Sequence, residues 1–94
     1  MEIKKIDDGK NGAFIAMENE TKAGEVTFVW AGEDKIILDH TEVESEFSGQ
    51  GVGKKMVMAA VAFAREKNLK IIPLCPYAKS VFDKDPEIAD VRAV

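Results

Sequence analysis

The chain has 94 residues, 46% of them hydrophobic and 32% charged, with a formal net charge of −4. This is ordinary for one globular domain spanning 1–94, and the acidity argues against general nucleic-acid binding. The single cysteine, Cys75, excludes an intrachain disulfide and fits a reducing, cytoplasmic setting, and no stretch approaches the length that crosses a membrane.

Met1 to Lys5 leads into no apolar run, so no signal peptide is expected. Glu2 to Asp7 reads as a short strand. Gly9-Lys10-Asn11-Gly12 reads as a tight turn, with Asn11-Gly12 as the hairpin signal. Ala13 to Glu18 makes a second strand and Asn19 to Lys22 a polar loop. Gly24 to Trp30 alternates, with Val26, Phe28 and Trp30 on one face, and predicts a third strand. A turn at Ala31 to Asp34 leads to a fourth strand, Lys35 to Val43. From Gly51 to Lys67 an apolar stripe of Val52, Met56, Ala59, Ala60 and Phe63, widened by Val57, Val61 and Ala64, predicts a long helix packed on a sheet. Asn68 supplies its C-terminal cap. Leu69 to Leu74 is a short buried strand, and Pro76 opens a helix running to about Lys84. Asp85-Pro86 begins a last turn, and the tail after Asp90 gives no signal. The fold class is α+β: one mixed, mostly antiparallel sheet, a long central helix and a second C-terminal helix. The strand–helix–strand step from Lys35 to Leu74 implies a parallel pair.

The densest signal is Gly49-Gln50-Gly51-Val52-Gly53-Lys54-Lys55, directly before the long helix. Glycines admit positive φ and close approach of a ligand to the backbone. A loop of this kind opening a helix gathers free N–H groups at the positive end of the helix dipole, which suits an anion such as phosphate. The P-loop pattern fails, because it would need glycine at Ser48 and Ser or Thr at Lys55. The dinucleotide fingerprint fails because Lys54 stands where its third glycine belongs. A glycine-rich turn that only caps a helix is the plain alternative.

Val43 to Gly53 matches V-x-P-x-Y-R-G-x-G-x-G in register, and His40-Thr41-Glu42-Val43 and Cys75-Pro76-Tyr77 follow H-T-x-V and C-P-[FY]. On these residues the chain from roughly Ile36 to Pro86 resembles the GNAT acyltransferase superfamily, most of all its short, single-domain acetyl-CoA-binding members. The resemblance implies that acetyl-CoA, or coenzyme A, is the cosubstrate, with no metal. It implies that amides of Ser48, Gly49, Gln50, Gly51, Val52 and Gly53 hold the pyrophosphate. Backbone at Glu42 and Val43 would pair with the pantetheine amides, where the fourth and fifth strands splay apart. Lys54 and Lys55 either add charge near a phosphate or are ordinary solvated lysines. Ser48 stands where the superfamily prefers Arg or Gln, and is an N-cap candidate. The second signature, N-x-x-A-x-x-x-Y, falls on Cys75, Ala78 and Phe82, so phenylalanine replaces the tyrosine that often protonates the leaving thiolate. Ile37 stands about where histone-type members carry a glutamate base. Only Gly9 to Gly12 separates the first two strands, where typical members place helices that wall the acceptor site.

Acetyl transfer to an amine needs a base for the amine and stabilisation of the departing thiolate. His40, the only histidine, suits a base and shares a strand face with Glu42. Cys75, at a helix N-terminus, suits a thiol acid or an acetyl acceptor, and equally a small buried residue. Tyr77 is an acid candidate or a packing residue. Asp39, Glu42, Glu44 and Glu46 form an acidic run that would attract a cationic acceptor or simply face solvent. The reading is an N-acetyltransferase acting on an amine. The alternative is a non-catalytic acyl-CoA-binding module that docks on a partner protein. Neither nucleic acid nor membrane is expected as a partner.

Overall fold

The computed structural model describes residues 1–93. Its strands are β1 (Glu2–Asp7), β2 (Asn11–Glu18), β3 (Thr21–Trp30), β4 (Lys35–Val43) and β5 (Lys70–Pro73), and its helices are α1 (Val52–Lys67) and α2 (Pro76–Lys84). Short 3-10 turns follow β4 at Ser45–Phe47 and α2 at Pro86–Val91. The sheet order is β1-β2-β3-β4-β5. The first three pairings are antiparallel, and β4 with β5 is parallel, as the intervening helix requires. The element order therefore matches the sequence expectation. Among the described residues no helix is long and apolar enough to cross a membrane.

One face of the sheet holds the core. Phe14, Val26, Phe28, Ile36, Leu38 and Ile71 pack under Met56, Val57, Ala60, Val61 and Ala64 of α1 and Ala78 and Phe82 of α2. Each large side chain buried there contributes about 1.5–3 kcal/mol. Ala59 and Phe63, placed by the sequence in the central stripe of the helix, are only partly buried at its border. The opposite face carries Ile15, Val29, Ile37 and Ile72, which alternate with core residues and join no part of the core cluster. No helix among the described residues covers that outer face, consistent with the tight connection between β1 and β2.

Several local expectations change. Asn11 and Gly12 do not form the first turn; they already pair with Val29 and Phe28 within β2. The turn lies at Asp8–Lys10, where the Asp8 carboxylate accepts the Lys10 and Asn11 amides at 2.9 and 2.7 Å. Gly12 is a packing glycine, since a Cβ there would stand 2.3 Å from the Phe28 ring. The tail is also informative in space. Val91 is buried, Arg92 bridges Ile71 in parallel, and the Ala93 amide donates to the Ile71 carbonyl at 2.8 Å. The tail thus covers the free edge of β5.

Candidate functional site

Strand β4 changes character at Leu38. Up to that residue it is paired on both sides, with Leu38 opposite Phe28 of β3 and Pro73 of β5. There β5 stops, and the Leu74 and Cys75 amides both donate to the Leu38 carbonyl at 3.0 Å. Beyond it, His40 to Val43 pair with β3 alone. The edge left without a strand partner is five residues long, about 17 Å at strand rise. Backbone groups on such an edge are available to an extended ligand. This is the splaying expected around Glu42 and Val43.

A bulge sets which side chains face which way. The pairing passes from Phe28–Leu38 to Thr27–His40, leaving Asp39 as the extra residue. Simple alternation from buried Leu38 would turn His40 inward, and the bulge reverses that. His40, opposite Thr27, and Glu42, opposite Glu25, therefore share the exposed outer face. Asp39 is fixed there by the Thr27 hydroxyl, which donates to its carboxylate at 2.5 Å. Lys22 offsets part of the negative charge. It pairs with Glu25 at 2.8 Å, and Glu25, Glu42 and Glu44 together hold its ammonium pKa above the ordinary value.

Thr41 points the other way, and its Oγ1 lies 3.1 Å from Cys75 Sγ. Cys75 is 6% exposed and caps α2, its sulfur accepting the Ala78 amide at 3.4 Å. Cys75 thus stands where the two strands part, joined to β4 through Thr41. The structure does not gather His40 and Cys75 on one face. They flank the end of the open edge from opposite sides of the sheet. Sequence reasoning missed Thr41, although the H-T-x-V pattern contained it.

The open edge leads through Ser45–Phe47 to the glycine loop. The cap of α1 is Gly51, in left-handed conformation with φ 73° and no side-chain hydrogen bond. Ser48 is not the N-cap; its amide closes the preceding 3-10 turn on Ser45 at 3.1 Å. No acidic residue lies in the first turn of α1, while Lys54 and Lys55 do. The first helical amides are left without a capping side chain, beside two cations, in the arrangement an anion fits. Gly49 is also left-handed, with φ 80°, and a Cβ on Gly49 or Gly51 would meet nothing within 4 Å. The space around both is open, and backbone conformation is what demands glycine there. Gly53 differs: it is helical and buried, and a Cβ would stand 2.7 Å from the Tyr77 ring. Its role is packing.

Val43, Phe47, Ser48, Gly49, Gly51, Val52, Gly53 and Tyr77 line a hollow of about 220 Å³. Gln50 and Lys55 are exposed outside its lining. Phe47 and Tyr77 are its aromatic walls, and the nearness of Tyr77 to the loop is visible only in the fold. Partial burial raises the Tyr77 phenol pKa. No cluster of His, Cys, Asp and Glu suited to a metal ion occurs among the described residues.

Comparison with known proteins agrees with this geometry. Residues 13–91 match the family described as GCN5-related N-acetyl-transferase. A GCN5-like protein from Staphylococcus aureus, solved by NMR, is 37% identical, with a TM-score of 0.72 over 98% of this chain and 87% of that one. A ribosomal-protein-alanine N-acetyltransferase from Brucella melitensis biovar Abortus 2308 shares the fold at 18% identity, with a TM-score of 0.66 over 93% of this chain and 64% of that one. Protein NATD1 of Xenopus tropicalis is 32% identical over 59 residues, which are 63% of this chain and 54% of that protein. The chain thus spans about half the length of the curated relatives it matches. With its family signature seated on a parting pair of strands and an uncapped helix start, this chain belongs to the GCN5-related N-acetyltransferase family.

Proposed function

We propose that this protein binds acetyl-CoA along the open edge of β4 and transfers the acetyl group to an amine. One observation supports this best: an unpaired strand edge runs into a helix start that has no cap and no acidic residue. An extended arm with amides fits the edge at Glu42 and Val43, and a pyrophosphate fits the amides from Gly49 to Lys54. Bound in this direction, acetyl-CoA presents an activated thioester near the point where β5 leaves β4.

The residues there divide the proton chemistry. His40 on the outer face takes a proton from the incoming ammonium, with Glu42 two residues along to hold the ring. The amine nitrogen attacks the thioester carbonyl, the carbon–sulfur bond breaks, and the nitrogen gives its surplus proton to water as the amide forms. Cys75, positioned by Thr41, gives its proton to the departing thiolate and regains one from water. Asp39 and Glu42 favour a cationic acceptor approaching over the bare face. A second reading is supported by Ile37 and its neighbours. With Val29 and Ile72 it forms an apolar row across the uncovered face, which suits a binding module docked on a partner protein.

Release of free CoA thiol in the presence of diverse amines distinguishes the two. Turnover that His40→Ala abolishes while acetyl-CoA affinity holds supports the transferase. Binding with no turnover toward any amine or peptide supports the module.

A further inference from the structure

The bulge at Asp39 has a second product. By turning His40 outward it turns Thr41 inward, opposite Val26 of β3, which has no exposed surface. The Thr41 hydroxyl thereby comes to stand 3.1 Å from Cys75 Sγ, across the gap where β5 has left β4. Threonine is branched at Cβ and stiff at χ1, so the strand aims this hydroxyl firmly.

Cys75 is held at each of its polar groups. Its amide donates to the Leu38 carbonyl at 3.0 Å, and its carbonyl accepts the Lys79 amide at 3.0 Å. Its sulfur accepts the Ala78 amide at 3.4 Å, a bond whose direction is fixed because an amide N–H only donates. The bond to Thr41 is different. A hydroxyl and a thiol each give or accept, so one 3.1 Å contact serves in both directions.

That reversibility bears on the acid role given to Cys75 above, on which this inference rests. Cys75 and the departing CoA are both thiols, so a proton passing between them gains little from the exchange itself. The surroundings of the sulfur decide the outcome. A sulfur only 6% exposed has little water to carry the negative charge left behind, and needs donors from the protein. We propose that Thr41 is a positioning residue for this step, reversing its hydrogen bond as the proton leaves Cys75. The hydroxyl accepts the S–H of the resting thiol. When that proton passes to the CoA sulfur, the hydroxyl turns and donates to the Cys75 thiolate beside the Ala78 amide. A proton from water then resets the pair.

Thr41→Val keeps the branched shape and removes the hydroxyl, whereas Thr41→Ser keeps the hydroxyl. Cys75 is the only cysteine, so alkylation of the folded full chain by iodoacetamide at neutral pH reads its sulfur without any turnover. Thr41→Val should slow alkylation about tenfold and lower kcat for CoA release about tenfold, with KM and melting temperature unchanged. Thr41→Ser should recover most of both. Alkylation of Thr41→Val at the wild-type rate overturns the inference and leaves the transferase reading standing. A loss that Thr41→Ser fails to recover overturns it too, because the hydroxyl is then not what acts. Absence of turnover in wild type overturns the transferase reading and, with it, the positioning role.

Discussion

The two halves of β4 are built to different rules. From Lys35 to Leu38 the strand is hydrogen-bonded on both edges and sends Ile36 and Leu38 into the core, each with no exposed surface. From Asp39 to Val43 it keeps one partner, carries a bulge and exposes His40 and Glu42. The first half holds the fold together, and the second leaves backbone groups open where a ligand can complete them. On the acetyl-CoA reading, stability and function separate along this one strand, and substitutions on either side of Leu38 should have opposite signatures.

The largest effect expected on the functional side is from Gly51→Glu. It sets a carboxylate against the pyrophosphate and should weaken acetyl-CoA binding by roughly 1,000-fold, read by calorimetry. The cost to the fold should be only about 1 kcal/mol, from the left-handed backbone. On the structural side, Leu38→Ala should lower unfolding free energy by about 3 kcal/mol in urea titration, with affinity per folded molecule unchanged. His40→Ala should reduce turnover by about 100-fold with stability and affinity intact. If it instead destabilises the protein, the division at Leu38 fails. Gly12→Ala, far from the site, should cost about 2 kcal/mol or more, because its methyl group clashes with both the Phe28 ring and the Ile6 carbonyl oxygen.

The smallest effect is one of pH. The Arg92 and Lys79 side chains bonded to Asp83 hold its carboxyl below 3.8, and Arg65 does the same for Asp90. Carboxyls with lowered folded pKa stabilise the native state above the unfolded value and lose that contribution as pH falls through the folded one. Melting temperature should thus be flat near neutrality and drop below about pH 4, and Asp83→Asn should make the drop slightly shallower.

The first half of β4 was readable in the sequence, as were the other strands and helices, because alternation and helical spacing report burial directly. The glycine loop was readable because its glycines precede an apolar helix. The bulge at Asp39 was not: one extra residue leaves the composition of the strand unchanged while reversing the direction of every later side chain. Gly53 and Gly12 could not be told from turn glycines, because their reason is an aromatic ring distant in sequence, Tyr77 or Phe28. The tail gave no periodic signal, since Val91 reaches the core from a short 3-10 turn. The partnership of Thr41 with Cys75 joins residues 34 positions apart, beyond the reach of local pattern.

The most direct test of an acetyl-CoA site on β4 and the glycine loop is an NMR titration of the ¹⁵N-labelled chain with acetyl-CoA. Saturable shifts concentrated at His40 to Val43 and Gly49 to Lys55, with Ile3 to Asn11 unmoved, are the expected result. Absence of saturable shifts at millimolar ligand, or shifts confined to the outer face of β1 and β2, would contradict it.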